Sequence, residues 1–418
     1  MQNSKASVTN LLLQAAESGA SDLHLTVGSA PFVRLAGQLK PLDFPVLKDG
    51  ECRDLIFSLM TERQRNRFEE ELDLDFGFAV EGISRFRANV FMQRSRVAAV
   101  FRVIPLQIFD LEELGLPPVV AELADKRRGL VLVTGPSGSG KSTTLASMIE
   151  RINKERRGHI ITVEDPIEFL HSSKGCLVSQ REVKTDVRSF SQALRMVIRE
   201  DPDIVLIGEL RDLETVTSAL RIAETGHLTL ATLHTNSAQS TINRVIGMFP
   251  PHQHDQVRRQ LSSVLEGIVS QLLLPEAGGD GCIVATEVLI PTLGIRNLIR
   301  DKKEHQIYSL MQMGQKRFGM HTMNQSLARL LSQDRINYES AVIESPDLFE
   351  LKEILGVKGT TMIDSAGNQR VVDDYRITLE HAPRNEEQTG CLFTDLRDET
   401  LKKGSSFQVK STQNQRTL

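Results

Sequence analysis

The chain has 418 residues, 40% of them hydrophobic and 25% charged, and at roughly 100 to 200 residues per domain it is long enough for two or three domains. Its 50 Lys and Arg against 54 Asp and Glu leave a formal net charge of -4, which excludes the global basic field that neutralises nucleic-acid phosphates. Cys52, Cys176, Cys282 and Cys391 are scattered and form no C-x-x-C pair, which excludes a zinc ribbon and a disulfide framework and fits a reducing compartment. The N-terminal residues lack the order of a secretory leader, and no segment reaches about 18 consecutive apolar residues. A soluble, cytoplasmic protein is therefore expected.

In chain order, residues 8–18 carry apolar side chains at helical spacing, and Gly19 with Ser21 and Asp22 stops that helix before a short strand at 23–25. Alternation at 31–35, 74–80, 84–91 and 97–103 predicts half-buried antiparallel strands, so the first hundred residues read as a small α+β domain. Ile104 and Pro105 end its last strand, and the stretch to the Pro117-Pro118 pair reads as a linker. From Arg128 the texture is α/β. The apolar run 129–134 is too short for a buried helix and suits a central parallel strand. Similar runs recur at 159–163, 204–207, 228–232 and 283–290 with helical stretches between most of them, which predicts one parallel-dominated sheet. A helix is expected over 316–332, with Met320, Met323, Leu327, Leu330 and Leu331 on one side. Beyond Gly356 the pattern loosens; 375–379 alternates, and the polar stretch 404–418 is expected to lack fixed structure. The expected division is 1–105, a linker 106–118, an α/β domain 119–355, and a partly disordered extension 356–418.

The most specific feature is Gly135-Pro136-Ser137-Gly138-Ser139-Gly140-Lys141-Ser142 followed by Thr143, a match to G-x-x-x-x-G-K-[ST] after a strand and before a helix. Glycines let the backbone wrap phosphates with its N–H groups inward, and the helix N-terminus adds its positive dipole end. Lys141 would reach the β- and γ-phosphates of ATP, and the Ser142 hydroxyl would ligate Mg2+. The apolar strand 204–207 leads to Gly208 and Glu209, a carboxylate at the strand end where ligands of open α/β sheets gather, suited to the magnesium shell through water. Between them, Glu164 ends another strand and is the candidate to position or deprotonate the attacking water. His227 and His234 bracket the strand 228–232 and are candidate γ-phosphate sensors, with His234 counted among the catalytic residues.

This succession resembles the secretion superfamily of ATPases: Walker A at 135–142, an acidic box at 164–169, Walker B at 203–209 and a histidine box at 225–235. It is similar in particular to the type IV pilus retraction ATPases of PilT type, through Ser21-Asp22-Leu23-His24, the early Pro105, and Gly294-Ile295-Arg296-Asn297-Leu298-Ile299-Arg300-Asp301. The resemblance spans roughly residues 5–345. It departs from the family pattern at Gly294, Asp301, Leu210 and the 178–179 pair, none of them a catalytic group. The resemblance implies a PAS-like N-terminal domain, a RecA-like P-loop domain, assembly as a homohexamer, nucleotide in the cleft between domains, and action on an inner-membrane pilus platform protein, with a paralogous retraction ATPase as a second partner. Arg85, Arg87, Arg102 and Arg244 are the candidate arginines for charge developing on the γ-phosphoryl group. Residues 294–301 read as an amphipathic helix, with Ile295, Leu298 and Ile299 inward and Arg296, Asn297 and Arg300 solvated. Pilus assembly and secretion ATPases are the alternative, disfavoured by the missing zinc cysteines. A nucleic-acid translocase is disfavoured by the acidic net charge and the absence of Trp, with only three Tyr; intact Lys141, Ser142, Glu164 and Glu209 argue against an inactive subunit. No nucleic-acid partner is expected.

Overall fold

The computed structural model describes residues 7–35, 38–104, 107–279, 281–356, 360–363 and 369–372. Pro105, at the expected domain junction, and the 375–379 and 404–418 stretches of the tail lie outside the described residues.

The N-terminal part begins with α1 (Val8–Glu17), which sends Leu11, Leu12 and Ala15 into the core. Strands β1 (Asp22–Leu25), β2 (Phe32–Leu35) and β3 (Gln38–Pro41) follow, then helices α2 (Asp49–Phe57) and α3 (Glu62–Glu71), then the long strands β4 (Asp73–Val80), β5 (Ser84–Gln93) and β6 (Arg96–Ile104). They form one antiparallel sheet in the order β3-β2-β1-β6-β5-β4. The alternation in β5 has a direct cause: Ser84, Phe86, Ala88 and Val90 are buried against the helices, while Arg85, Arg87 and Asn89 between them take the other face. Six strands with helices on one side confirm the small α+β domain.

The expected linker is less free than its composition implied. Leu111 and Leu116 are buried in the core of the following domain, and Asp110 pairs with Lys154 at 2.9 Å. The proline pair starts α4 (Pro118–Ala124) rather than interrupting a helix, because Pro118 sits at the first helical position, where its missing N–H costs nothing.

The second domain runs β7 (Gly129–Thr134), α5 (Lys141–Glu155), β8 (His159–Glu164), β9 (Leu177–Glu182), α6 (Phe190–Val197), β10 (Ile204–Ile207), α7 (Leu213–Glu224), β11 (Leu228–Leu233), α8 (Ala238–Gly247), α9 (His254–Val264), β12 (Leu265–Pro275), β13 (Cys282–Leu289) and α10 (Leu293–Arg300). Its sheet has the order β13-β12-β7-β11-β10-β8-β9, parallel throughout except for the antiparallel edge pair β12–β13. Both faces are covered. Leu130 and Leu132 join one core with Val205 and Ile207, and Val131 and Val133 join the opposite core with Ile204 and Leu206. That two-sided burial is why these strands read as continuous apolar runs.

A C-terminal group of helices completes the fold: α11 (Ile307–Met313), α12 (Gln315–Phe318), α13 (Met323–Ser332), α14 (Tyr338–Glu344) and α15 (Leu348–Leu355), with a hairpin pair β14 (Thr360–Ile363) and β15 (Gln369–Val372). The single helix expected over 316–332 is broken. Gly319 takes φ +69°, an added Cβ there would meet Val119 at 2.9 Å, and His321 bridges to Val288 on β13. The predicted apolar side survives as Met320, Met323, Leu327 and Leu330 in the interior.

The two domains meet through a buried ion pair. Arg85 of β5 donates to Glu182 of β9 at 2.6 Å and to the Ile167 carbonyl at 3.1 Å, and Glu182 also accepts from the Ile167 amide at 3.2 Å. The two side chains are only 12% and 7% exposed. Removing one partner strands the other charge in the interior, so Arg85→Ala is expected to cost about 3–5 kcal/mol in urea unfolding, whereas Arg85→Met combined with Glu182→Leu should lose clearly less. A loss below about 1 kcal/mol for Arg85→Ala would show that the pair behaves as a solvated surface contact.

Candidate active site

A cleft of about 630 Å³ opens between the two domains, floored by residues 137–143. Its base is made by sheet topology: β7, β8, β10 and β11 run parallel, so their carboxyl ends present the phosphate loop, Glu164, Glu209 and His234 along one edge. The opposite wall comes from the N-terminal domain, where Arg87, Arg102, Val103 and Ile104 line the cleft.

The loop starts at Gly135 with φ +145°, and a side chain there would meet the Gln271 carbonyl at 2.3 Å. Gly138 and Gly140 also take positive φ, and Gly140 forms the N-cap of α5. Pro136, Ser137 and Gly138 are exposed at the loop's tip, Ser139 is buried, and Ser142 and Thr143 are half-buried at the first turn of the helix. The Lys141 amine donates to the Gly135 and Pro136 carbonyls at 2.9 and 2.8 Å. Burial pulls its pKa below the usual lysine value, against the raising influence of Glu209 and Glu168. Tethered only to carbonyls, the amine is well placed to transfer to phosphate oxygens.

Glu164 is enclosed by uncharged donors. The Thr162 hydroxyl donates to it at 2.7 Å, the Gln180 amide at 3.3 Å and the Glu168 backbone at 3.4 Å. Burial outweighs these bonds and pushes its carboxyl up to about 7, the range of a general base at neutral pH. Glu209 has the opposite surroundings: it accepts from Arg211 at 2.6 Å and lies 3.2 Å from the His234 ring. Thr232 ties the two strand ends by donating to the Gly208 carbonyl, while the Leu210 amide donates to Thr232 at 3.0 Å.

Not every residue proposed from the sequence reaches the cleft. His227 lies at the opposite end of β11, its ring bound to Thr225 and the Ile222 carbonyl at 3.1 Å, because a strand separates its two flanking histidines by its full length. Arg85 is turned into the domain contact, captured by Glu182 and the Ile167 carbonyl. Arg244 is exposed on α8 and is not among the cleft-lining residues. Arg87 and Arg102 do line it, held by Asp75 at 2.5 Å and Asp22 at 3.0 Å. Arg296, expected in solvent, instead bonds the carbonyls of Pro291, Ser262 and Ser263 and pairs with Glu266 at 2.9 Å, while Asn297 and Arg300 stay exposed. Its guanidinium reaches the end of α9 and Glu266 at the start of β12, contacts that helical spacing alone does not reveal.

Residues the sequence reading missed are the supports: Arg211 beside Glu209, Gln180 beside Glu164, and Gln271 beneath the phosphate loop. The only signal for Gln271 is a polar Ser270-Gln271 pair inside an otherwise apolar run.

Phosphate loop, strand-end carboxylates and two-faced parallel sheet define a P-loop ATPase preceded by a smaller α+β domain. The family model for the Type II/IV secretion system protein matches residues 3–285, and the chain belongs to that family, in its pilus retraction branch. It is 49% identical over 334 residues to the type IV pilus retractation ATPase PilT of Pseudomonas aeruginosa, covering 80% of this chain and 96% of that protein. It is 45% identical over 311 residues to a twitching motility protein of Neisseria gonorrhoeae, covering 74% of this chain and 83% of that one. The crystal structure of the pilus retraction motor PilT with bound ADP superposes with a TM-score of 0.78 at 51% identity, covering 83% of this chain and 99% of that one.

The raised Glu164 carboxyl sets a pH dependence. It is protonated, and useless as a base, below its pKa, so kcat/KM for ATP should fall as pH drops through about 7. Glu164→Gln fixes the protonated shape and should lower kcat by about 10²–10⁴ with nucleotide binding retained. An acid limb in the ordinary carboxylate range in the pH profile would remove Glu164 from the base role.

Proposed function

We propose that this chain is a mechanochemical ATPase that drives type IV pilus retraction, turning over ATP between its two domains. The observation that carries the reading is the shared cleft: Arg87 and Arg102 stand on one wall, and Lys141, Ser142, Glu164 and Glu209 on the other. A reaction that needs both walls depends on their separation, so binding, hydrolysis and release can move one domain against the other. Retraction as the task is supported by the likeness to the retractation ATPase over 96% of that protein's length.

In this reading the 135–143 backbone cradles the phosphates, Lys141 neutralises the β- and γ-oxygens, Glu164 activates water, His234 senses the γ-phosphate, and Arg87 and Arg102 offset charge on the transferring group. Magnesium would be held by Ser142 and, through water, by Glu209. The fit is chemical: both donors are hard oxygens on the cleft wall. Among the described residues no group of three or more His, Cys, Asp or Glu forms a metal cage, so the nucleotide's own oxygens would complete the shell. The domain division proposed is 1–105 and 119–355, with the linker 106–118 packed on the ATPase domain through Leu111 and Leu116 and a C-terminal extension from 356. Six copies forming a ring are proposed to act from the cytoplasm on the inner-membrane platform protein, Asn297 and Arg300 of α10 offering the polar contact, alongside a paralogous retraction ATPase. Among the described residues no helix is long and apolar enough to cross a membrane.

Purified protein should show ATP turnover confined to a species of hexamer mass, lost with EDTA and restored by Mg2+. In a deletion strain, wild type should restore filament retraction and twitching, whereas Lys141→Ala should not. Full turnover by the monomer would overturn the ring, and restored assembly without retraction would reassign the motor's task.

A further inference from the structure

Gln271 lies on β12, one residue past the end of its pairing with β7, where Ser270 faces Thr134. That register carries its side chain beneath the phosphate loop, and it is only 1% exposed. The two ends of its amide are used differently. Nε2 donates to the Ser139 carbonyl at 2.6 Å, and Oε1 accepts from the Thr144 hydroxyl on the first turn of α5 at 3.0 Å. Its backbone carbonyl presses on Gly135, and Nε2 lies 3.2 Å from where a Gly140 side chain would start. Ser270 supports the same edge through a 2.7 Å bond to Thr134.

We propose that Gln271 is the positioning residue of the phosphate loop, locking its start, its inner turn and its helix to one strand so that the amides are aimed before nucleotide arrives. The requirement is for a donor and an acceptor on one planar group. Ser139 is buried and offers a carbonyl, Thr144 is buried and offers a hydroxyl, and both would be left unpaired by an apolar side chain. Leucine fills the space and satisfies neither. Glutamate keeps the acceptor toward Thr144 but, when ionised, sets a negative oxygen against the Ser139 carbonyl. When protonated it regains a donor, and burial raises the pKa of such a carboxyl toward the accessible range. Gln271 touches no reacting atom in this arrangement; it acts through the loop.

This inference rests on the reading of the cleft as the nucleotide site, and the test separates the two. The probe is fluorescent ADP with Mg2+, titrated into the full chain as wild type, Gln271→Leu, Gln271→Glu and Ile268→Val; Ile268→Val trims the core of the same strand without touching the loop. Gln271→Leu should weaken ADP by about tenfold or more, as expected for two buried groups left unpaired, and Ile268→Val should leave the affinity within about twofold despite a lower melting temperature. Gln271→Glu should be weak at alkaline pH and recover toward wild type as pH falls, measured as the ratio to wild type at each pH. Should Gln271→Leu fail to fold, the Gln271→Glu pH series decides by itself. Equal affinity of Gln271→Leu and wild type, or a Gln271→Glu ratio that does not change with pH, overturns the positioning role alone. A wild-type protein that does not bind ADP overturns the site reading and this inference with it.

Discussion

A phosphate loop can do little to hold itself in place, because most of the amides that would stabilise its turns are the groups it must present to a ligand. Lys141 ties the Gly135 and Pro136 carbonyls from within, and the neighbouring strand imposes the rest of the shape. Thr134 is tied to Ser270, Gly135 lies against the Gln271 carbonyl, and the Ser139 carbonyl and Thr144 hydroxyl are gathered by one side chain. The strand order then distributes the remaining chemistry. With β7 between β11 and β12, and β10 and β8 beyond β11, the loop has its support on one side and His234, Glu209 and Glu164 in sequence on the other.

The second wall of the cleft is not an independent lid. Arg85 holds the Ile167 carbonyl while its partner Glu182 holds the Ile167 amide, three residues beyond Glu164. The loop that carries the proposed base is therefore clasped by the same ion pair that docks the N-terminal domain. Displacing that domain must either carry residues 164–167 along or break a buried ion pair, which is costly. On this geometry the domain contact and the loop that carries the proposed base share one ion pair, and Arg87 lies two residues from Arg85 on the same strand face.

Much of this was legible in the sequence because the relevant signals are local. The strand–loop–helix context of 135–142, the apolar runs of β7, β8, β10 and β11, and the alternation of β5 follow from steric and solvation rules acting over a few residues. What was missed depends on placement in space. β12 follows α9 with no turn residue between them, so Leu265–Pro275 gave no boundary signal, and β9 is half-buried with a polar composition. The gap in 316–332 required knowing that Val119 crowds Gly319. Assigning His227 to the nucleotide followed from its residue type and nearness in sequence, and assigning Arg85 from its residue type and its place on an N-terminal strand. Strand length carried the first away from the cleft, and a partner on another domain captured the second.

The two carboxylates of the site show how one sheet edge can supply two different chemistries. Glu164 is met only by neutral donors, the Thr162 hydroxyl, the Gln180 amide and a backbone N–H, so desolvation is left uncompensated and its proton is held up to about neutrality. Glu209 is met by Arg211 and His234, and its charge reaches Lys141. The first environment favours taking up a proton, and the second leaves a carboxylate in the same cleft as Ser142, where a divalent cation would be bound. Two carboxylates in unlike surroundings can take unlike roles, one as base and one in a metal shell. The division is set here by neighbours on adjacent strands rather than by the glutamates themselves, so exchanging the partners Gln180 and Arg211 would disturb the roles as surely as exchanging the carboxylates.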